Sequence, residues 1–148
     1  MSWSYGALVG RRLLAWSAAS VIAGVLLLAL GDPWWQGFGL QAVVWGAIDG
    51  AIGLIGIVSA GRSRRRAADD PAADAREARK LRRLLLLNAG LDVLYIAGGL
   101  IVAGPVAAGD PFVAGNGWGI VLQGAFLLLF DLLHGLRVPV PSQDAGAS

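Results

Sequence analysis

Three carboxylates lie inside otherwise apolar stretches of this 148-residue sequence: Asp49, Asp92 and Asp131. Each belongs to a row of polar and aromatic residues at helical spacing. Trp45 and Asp49 follow Gln41 at i+4 and i+8; Asp92, Tyr95 and Gly99 follow Asn88 at i+4, i+7 and i+11. Gln123, Asp131 and His134 follow Asn116 at i+7, i+15 and i+18. Such spacings place each row on one side of its helix. Two kinds of chemistry suit these rows. Protonated carboxyl groups can donate hydrogen bonds and glue helices together, at around 0.6 kcal/mol per contact. The same groups can build a site for a proton, a cation or a polar head group, a use to which multi-span proteins put intramembrane ionisable residues. Because a charge at mid-bilayer costs roughly 2.5–3.5 kcal/mol on insertion scales, all three rows are expected to face a bundle interior.

At about 1.5 Å per residue, Asp49 and Gln123 fall roughly 16 Å below the outer ends of their segments. Asp92 falls roughly 12 Å above the inner end of its own. These three are expected to converge near the midplane, walled by Asn88, Tyr95 and Trp45. Asp131 and His134, one turn apart nearer the inner surface, form a second candidate group. It would be either a proton-relaying pair or a solvated helix end beside Arg137. The sequence offers no catalytic nucleophile motif. Zero Cys and a single His leave no metal-ligand cluster and no disulfide, and no cofactor motif is visible.

The elements that position these groups follow from composition. Hydrophobic residues make up 56% of the chain and charged residues 15%, against roughly 25% in ordinary soluble domains. That excludes soluble globular, disordered and disulfide-framework classes. A span needs about 20 apolar residues, and four segments qualify: about 13–30, 38–60, 84–104 and 112–136. The expected fold is all-α, a single membrane domain forming an antiparallel four-helix transmembrane bundle. Gly31, Asp32 and Pro33, and then Gly104 to Pro111, make tight turns between the first and second and between the third and fourth spans. The first span, with Arg11 and Arg12 before it, has the alternative reading of a cleaved signal peptide, but its 18 apolar residues favour a retained span.

All 12 basic residues flank the spans on one side, and the two tight turns contain none. The positive-inside rule therefore puts both termini and the basic loop 61–83 in the cytoplasm, with a flexible tail at 138–148. Trp34, Trp35, Phe38, Phe112 and Trp118 mark the outer edge, and Trp3, Tyr5 and Trp16 the inner one. Within the loop, Asp70 as N-cap and Pro71 at the first helical position predict a helix running into the third span. Arg64, Arg65, Arg66, Arg79, Lys80, Arg82 and Arg83 would meet anionic lipid head groups, or serve topology alone. Nucleic acid is not an expected partner, since the loop is short and lacks aromatics. Among the 22 glycines, Gly46 and Gly50 form GxxxG, which allows close helix contact within a bundle or in a homo-oligomer.

Three strings carry a resemblance: W-G-A-I-D at 45–49, N-A-G-L-D-V-L-Y-I-A-G-G at 88–99 and G-W-G-I-V-L-Q-G-A-F-L-L-L-F-D at 117–131. Together they resemble an uncharacterised bacterial four-span membrane family, a domain of unknown function. The resemblance covers spans two to four and omits the termini and the basic loop. It implies a four-span fold in a bacterial inner membrane and implies no activity. Signatures of multidrug exporters, fluoride channels and phosphatidyltransferases are not visible. Three functions fit the residues. The first is a transport or permeation module for protons or a small polar solute, centred on Asp49 and Asp92. The second is an accessory subunit of a larger membrane complex, docked through glycine faces. The third is a lipid-head-group enzyme using Asp131 and His134 as acid and base.

Overall fold

The computed structural model describes residues 1–69 and 71–139. Four α-helices account for almost all of them: α1 (Ser2–Leu30), α2 (Pro33–Asp69), α3 (Pro71–Ile101) and α4 (Pro111–Arg137). All four are long and apolar enough to cross a membrane. No strand occurs among the described residues.

Two helices start on the same dipeptide, Asp-Pro, for the same reason. The Asp32 carboxylate accepts from the backbone N–H of Trp34 (3.0 Å) and Trp35 (3.2 Å). Asp110 accepts from Phe112 (2.8 Å) and Val113 (3.1 Å). Each carboxylate satisfies orphan donors of the first turn, while proline fills the position that needs no N–H. Gly31 to Pro33 therefore do more than stop the first span: they start the second. The third Asp-Pro has Pro71 as the first residue of α3, while Asp70 lies outside the described residues. The end of α3 is irregular because Pro105 has no N–H to donate. The α-helix stops at Ile101 and loosens into a π-helical turn over Val102–Val106, closed by Ala107 N–H donating to Val102 O at 3.0 Å. Ala108 (φ 47°) and Gly109 (φ 93°) then reverse the chain in left-handed geometry.

The basic segment 61–83 is helical wherever described: the helix expected from Pro71 is the start of α3, and the stretch before it, expected as loop, is a continuation of α2 to Asp69. At 37 residues α2 is about 55 Å long, well beyond a hydrocarbon layer of about 30 Å. Its basic end and the start of α3 project past the apolar part of the bundle. Of the tail expected at 138–148, Val138 and Pro139 are described. Val138 is buried against Val9, Leu13, Ala78, Leu85 and Phe130; residues 140–148 lie outside the described residues.

The consecutive pairs α1/α2 and α3/α4 are antiparallel, as short turns require, and make the most extensive contacts. Backbones approach closely in both. A Cβ on Gly10 would lie 2.8 Å from the Gly53 carbonyl oxygen, and one on Gly24 2.6 Å from that of Gly39. The two hairpins are joined by a parallel contact, α2 against α4, near the turn end. There Gly115 sits on the Trp34 carbonyl, and Gln41 Nε2 donates to Asn116 Oδ1 at 2.8 Å. Helices α2 and α3 touch far less and leave a cleft between them. At the opposite end Ser2 Oγ donates to Asp74 (2.7 Å), and Tyr5 OH to the His134 carbonyl (3.1 Å). Both ends of the bundle chain thus sit beside the α2–α3 junction.

Burial is the reverse of a water-soluble protein. Ile22, Ile55, Leu94, Leu129 and Leu136 are more than half exposed, whereas Asp49, Asp92, Gln123, Asp131 and His134 are buried. Apolar surface outside and polar groups inside suit a lipid solvent, where no water satisfies outward polar atoms.

Candidate functional site

The cleft between α2 and α3 has a volume of about 580 Å³. Its α2 wall runs from Trp45 through Asp49 to Ser63, and its α3 wall from Glu77 and Lys80 through Asn88 and Asp92 to Tyr95. The first turns of α1 and the segment Leu127 to Asp131 of α4 complete it. All four walls come from one chain. Trp45 and Tyr95, the α2 and α3 lining residues nearest the turn end, meet edge to face at 4.9 Å between centroids. From there it leads toward the end that carries the basic residues.

Asp49, Asp92 and Asp131, from three different helices, line this cleft. They lie near enough for Asp131 to feel the charges of both others, and Asp49 that of Asp92. Asp49 is 1% exposed and Asp92 3%. The Oδ2 atom of each is buried with no hydrogen-bond partner. A buried acceptor left unpaired costs roughly 1–3 kcal/mol, more when charged. Helix glue alone would satisfy these oxygens; here they are left unpartnered on residues that line the cleft. Asn88 lines the cleft with them.

The structure re-sorts the residues that spacing had grouped. Trp45, Asp49, Asn88, Asp92 and Tyr95 all line the cleft. Gln123 leaves that group. It is buried and faces α1, where Trp16 Nε1 donates to its Oε1 at 3.0 Å and its Nε2 reaches Ser20 Oγ at 3.5 Å. Asp131 takes its place, leaving His134. Both ring nitrogens of His134 are engaged elsewhere: Nδ1 donates to the Phe130 carbonyl at 2.7 Å, and Nε2 accepts from Arg12 Nη1 at 3.1 Å. A donor bond on one side and an acceptor bond on the other assign the neutral Nδ1–H tautomer. No acid–base pair between Asp131 and His134 is formed.

The first helix has a larger part than its two serines suggested. Trp16, read as an interface aromatic, is half-buried and stacks on Phe126 with centroids 3.6 Å apart. Ser17 Oγ donates to the Gly46 carbonyl at 2.6 Å. The signal was present in the sequence as Trp16, Ser17 and Ser20 within one and a half turns. Replacing Gln123 with leucine is expected to strand the Trp16 N–H in an apolar setting and destabilise the fold by about 2 kcal/mol. Unfolding in mixed micelles checks this, and an unchanged midpoint would contradict the role given to this bond.

Four long apolar helices, polar groups turned inward and a cleft lined by carboxylates define a small multi-pass membrane protein of helical-bundle type. The chain belongs to the family of unknown function DUF6992, which matches residues 12–132. The match is wider than the three strings that carried the resemblance, since it takes in α1 from Arg12, and it contains all three cleft carboxylates. No curated protein and no solved structure matches the chain.

Proposed function

We propose that this protein is a transport or permeation module for protons or a small cation, with Asp49, Asp92 and Asp131 as its ionisable centre. One observation carries the reading: three carboxylates from three helices line a 580 Å³ cleft, and two of them present unpartnered buried oxygens. Three neighbouring carboxylates cannot all be charged in a low-dielectric bundle without protons or cations to neutralise them. Such a centre takes up and releases positive charge. The Trp45–Tyr95 contact is the barrier on one side, and the cleft gives access from the other.

The setting proposed is a bacterial inner membrane, with both termini and the basic helix extensions on the cytoplasmic side. The test is proton flux into proteoliposomes under an imposed potential. Wild-type protein is expected to conduct, and Asp49→Asn with Asp92→Asn to cut the rate roughly 10–100-fold, the value of one or two hydrogen bonds to a charged group. Flux equal to that of wild type would sink the reading.

The accessory-subunit reading gains less support. Most glycines of α1 and α2 are consumed inside the bundle, Gly10 on Gly53, Gly24 on Gly39, and Gly46 against Ser17 and Val21, which leaves Gly90 and Gly98 of α3 as the open ones within a span. A lipid partner is better placed. Arg79, Arg82 and Arg83 rim an exposed groove of about 450 Å³ whose other walls are Leu86 and Leu87. Guanidinium groups one turn above lipid-facing leucines lie where anionic head groups sit. Changing the three arginines to glutamine is expected to lower bound anionic lipid, at about 1 kcal/mol per charge removed. Lipid analysis of the purified protein measures this, and an unaltered anionic fraction would refute the contact.

A further inference from the structure

The cleft has a shape as well as a charge, and the shape selects among cations. Its α2 wall, Trp45 to Ser63, is about 27 Å long at helical rise, and the α3 wall from Glu77 to Tyr95 matches it. A volume of 580 Å³ spread along that length makes an elongated groove rather than a compact chamber. Between the carboxylates and the mouth the walls are mostly aliphatic. Ile52 and Leu84, about half exposed, and Ile55, exposed further, line the cleft and also face the bundle surface. The cleft is therefore open sideways, between α2 and α3, to the acyl region of a bilayer. Toward the turn end, Asp49 is one turn from Trp45, and Asp92 is three residues from Tyr95. Carboxylates beside aromatic rings suit an ammonium group, which rings attract through their negative faces.

We infer that the cleft binds a single-chain primary alkylammonium, its head among Asp49, Asp92 and Asp131 and its chain along the α2–α3 groove. The inference rests on the reading of these carboxylates as a cation centre and names the class of cation. A primary ammonium brings three N–H donors. Two of them match the unpartnered Oδ2 atoms of Asp49 and Asp92. A quaternary ammonium has no N–H to offer, a neutral alcohol has no charge, and a short amine leaves the groove unfilled. The amphiphile needs no aqueous route, since its chain partitions into the bilayer and reaches the groove laterally.

The experiment uses the full chain in phosphatidylcholine nanodiscs, with empty nanodiscs as the baseline for partitioning. Labelled dodecylammonium is expected to bind in excess of that baseline and to saturate at one per chain. Dodecyltrimethylammonium, dodecanol and methylammonium should each compete at least about tenfold more weakly, since each lacks the donors, the charge or the chain. Asp49→Asn with Asp92→Asn should weaken dodecylammonium by a similar factor, and Ile52→Trp should erase its advantage over methylammonium. Binding no greater than in empty nanodiscs, or methylammonium competing equally well, overturns the inference. Proton flux measured on the same preparation separates the two failures. Flux that depends on Asp49 and Asp92 without dodecylammonium binding leaves the proton reading standing; loss of both removes both.

Discussion

Gly115→Leu is expected to prevent the bundle from forming in its native packing, with a loss of about 3 kcal/mol or more by unfolding in mixed micelles. The effect comes from what a side chain would meet. A Cβ at Gly115 would overlap the carbonyl of Trp34, and the next nearest atoms are also backbone, Phe38 N among them at 3.1 Å. A flexible neighbour could rotate aside; a helix backbone can yield only by moving the helix. Here α4 would be pushed off α2 at the contact that joins the two hairpins. The Trp34–Phe38 stack, with centroids 5.6 Å apart, and the bond from Gln41 to Asn116 lie at the same contact and would go with it. Gly90 supplies the control, because a Cβ there meets nothing within 4 Å. Gly90→Ala is expected to be neutral or to stabilise by up to about 1 kcal/mol, the ordinary gain of alanine over glycine in a helix. Equal losses at Gly115 and Gly90 would contradict the packing described.

Asp49→Leu with Asp92→Leu is expected to make the protein more stable, by about 1–4 kcal/mol, while abolishing cation handling. If these carboxylates were structural glue, removing them would weaken the bundle. Instead each has a buried oxygen with no partner. An apolar side chain removes that penalty, and the adjoining cleft has room for it. A gain in stability together with lost flux is the pattern of a site whose cost is kept for function. Lower stability in both single leucine variants would instead assign the pair to helix glue.

The helices were legible because their signals are local. Hydrophobic run length, the Asp-Pro starts and the one-sided distribution of basic residues each depend on neighbours in sequence. Pro71 as the start of a helix could be read from its place after Asp70. The extent of α2 could not, because a run of arginines marks the end of an apolar stretch without ending a helix. Arginine is a good helix former, and α2 continues through Arg62, Arg64, Arg65 and Arg66. The site was half legible. Helical spacing put Trp45 with Asp49, and Asn88 with Asp92 and Tyr95, because residues on one face of one helix stay together whatever the bundle does.

Which faces meet was beyond the sequence. Gln123 and Asp131 lie eight residues apart on α4, close to one face by spacing, yet Gln123 turns to Trp16 of α1 and Asp131 joins Asp49 and Asp92. A small offset about the helix axis decides whether an α4 side chain reaches Trp16 of α1 or the cleft beside α3. Thus the sequence by itself determined that four apolar helices exist, where they turn and which residues of each helix share a face. Only the tertiary structure decided that α2 packs parallel to α4, that α2 and α3 part to leave a cleft, and that three carboxylates line it. Those outcomes depend on backbone approach at glycines such as Gly115 and Gly37, contacts between residues about 75 positions apart that no local pattern encodes.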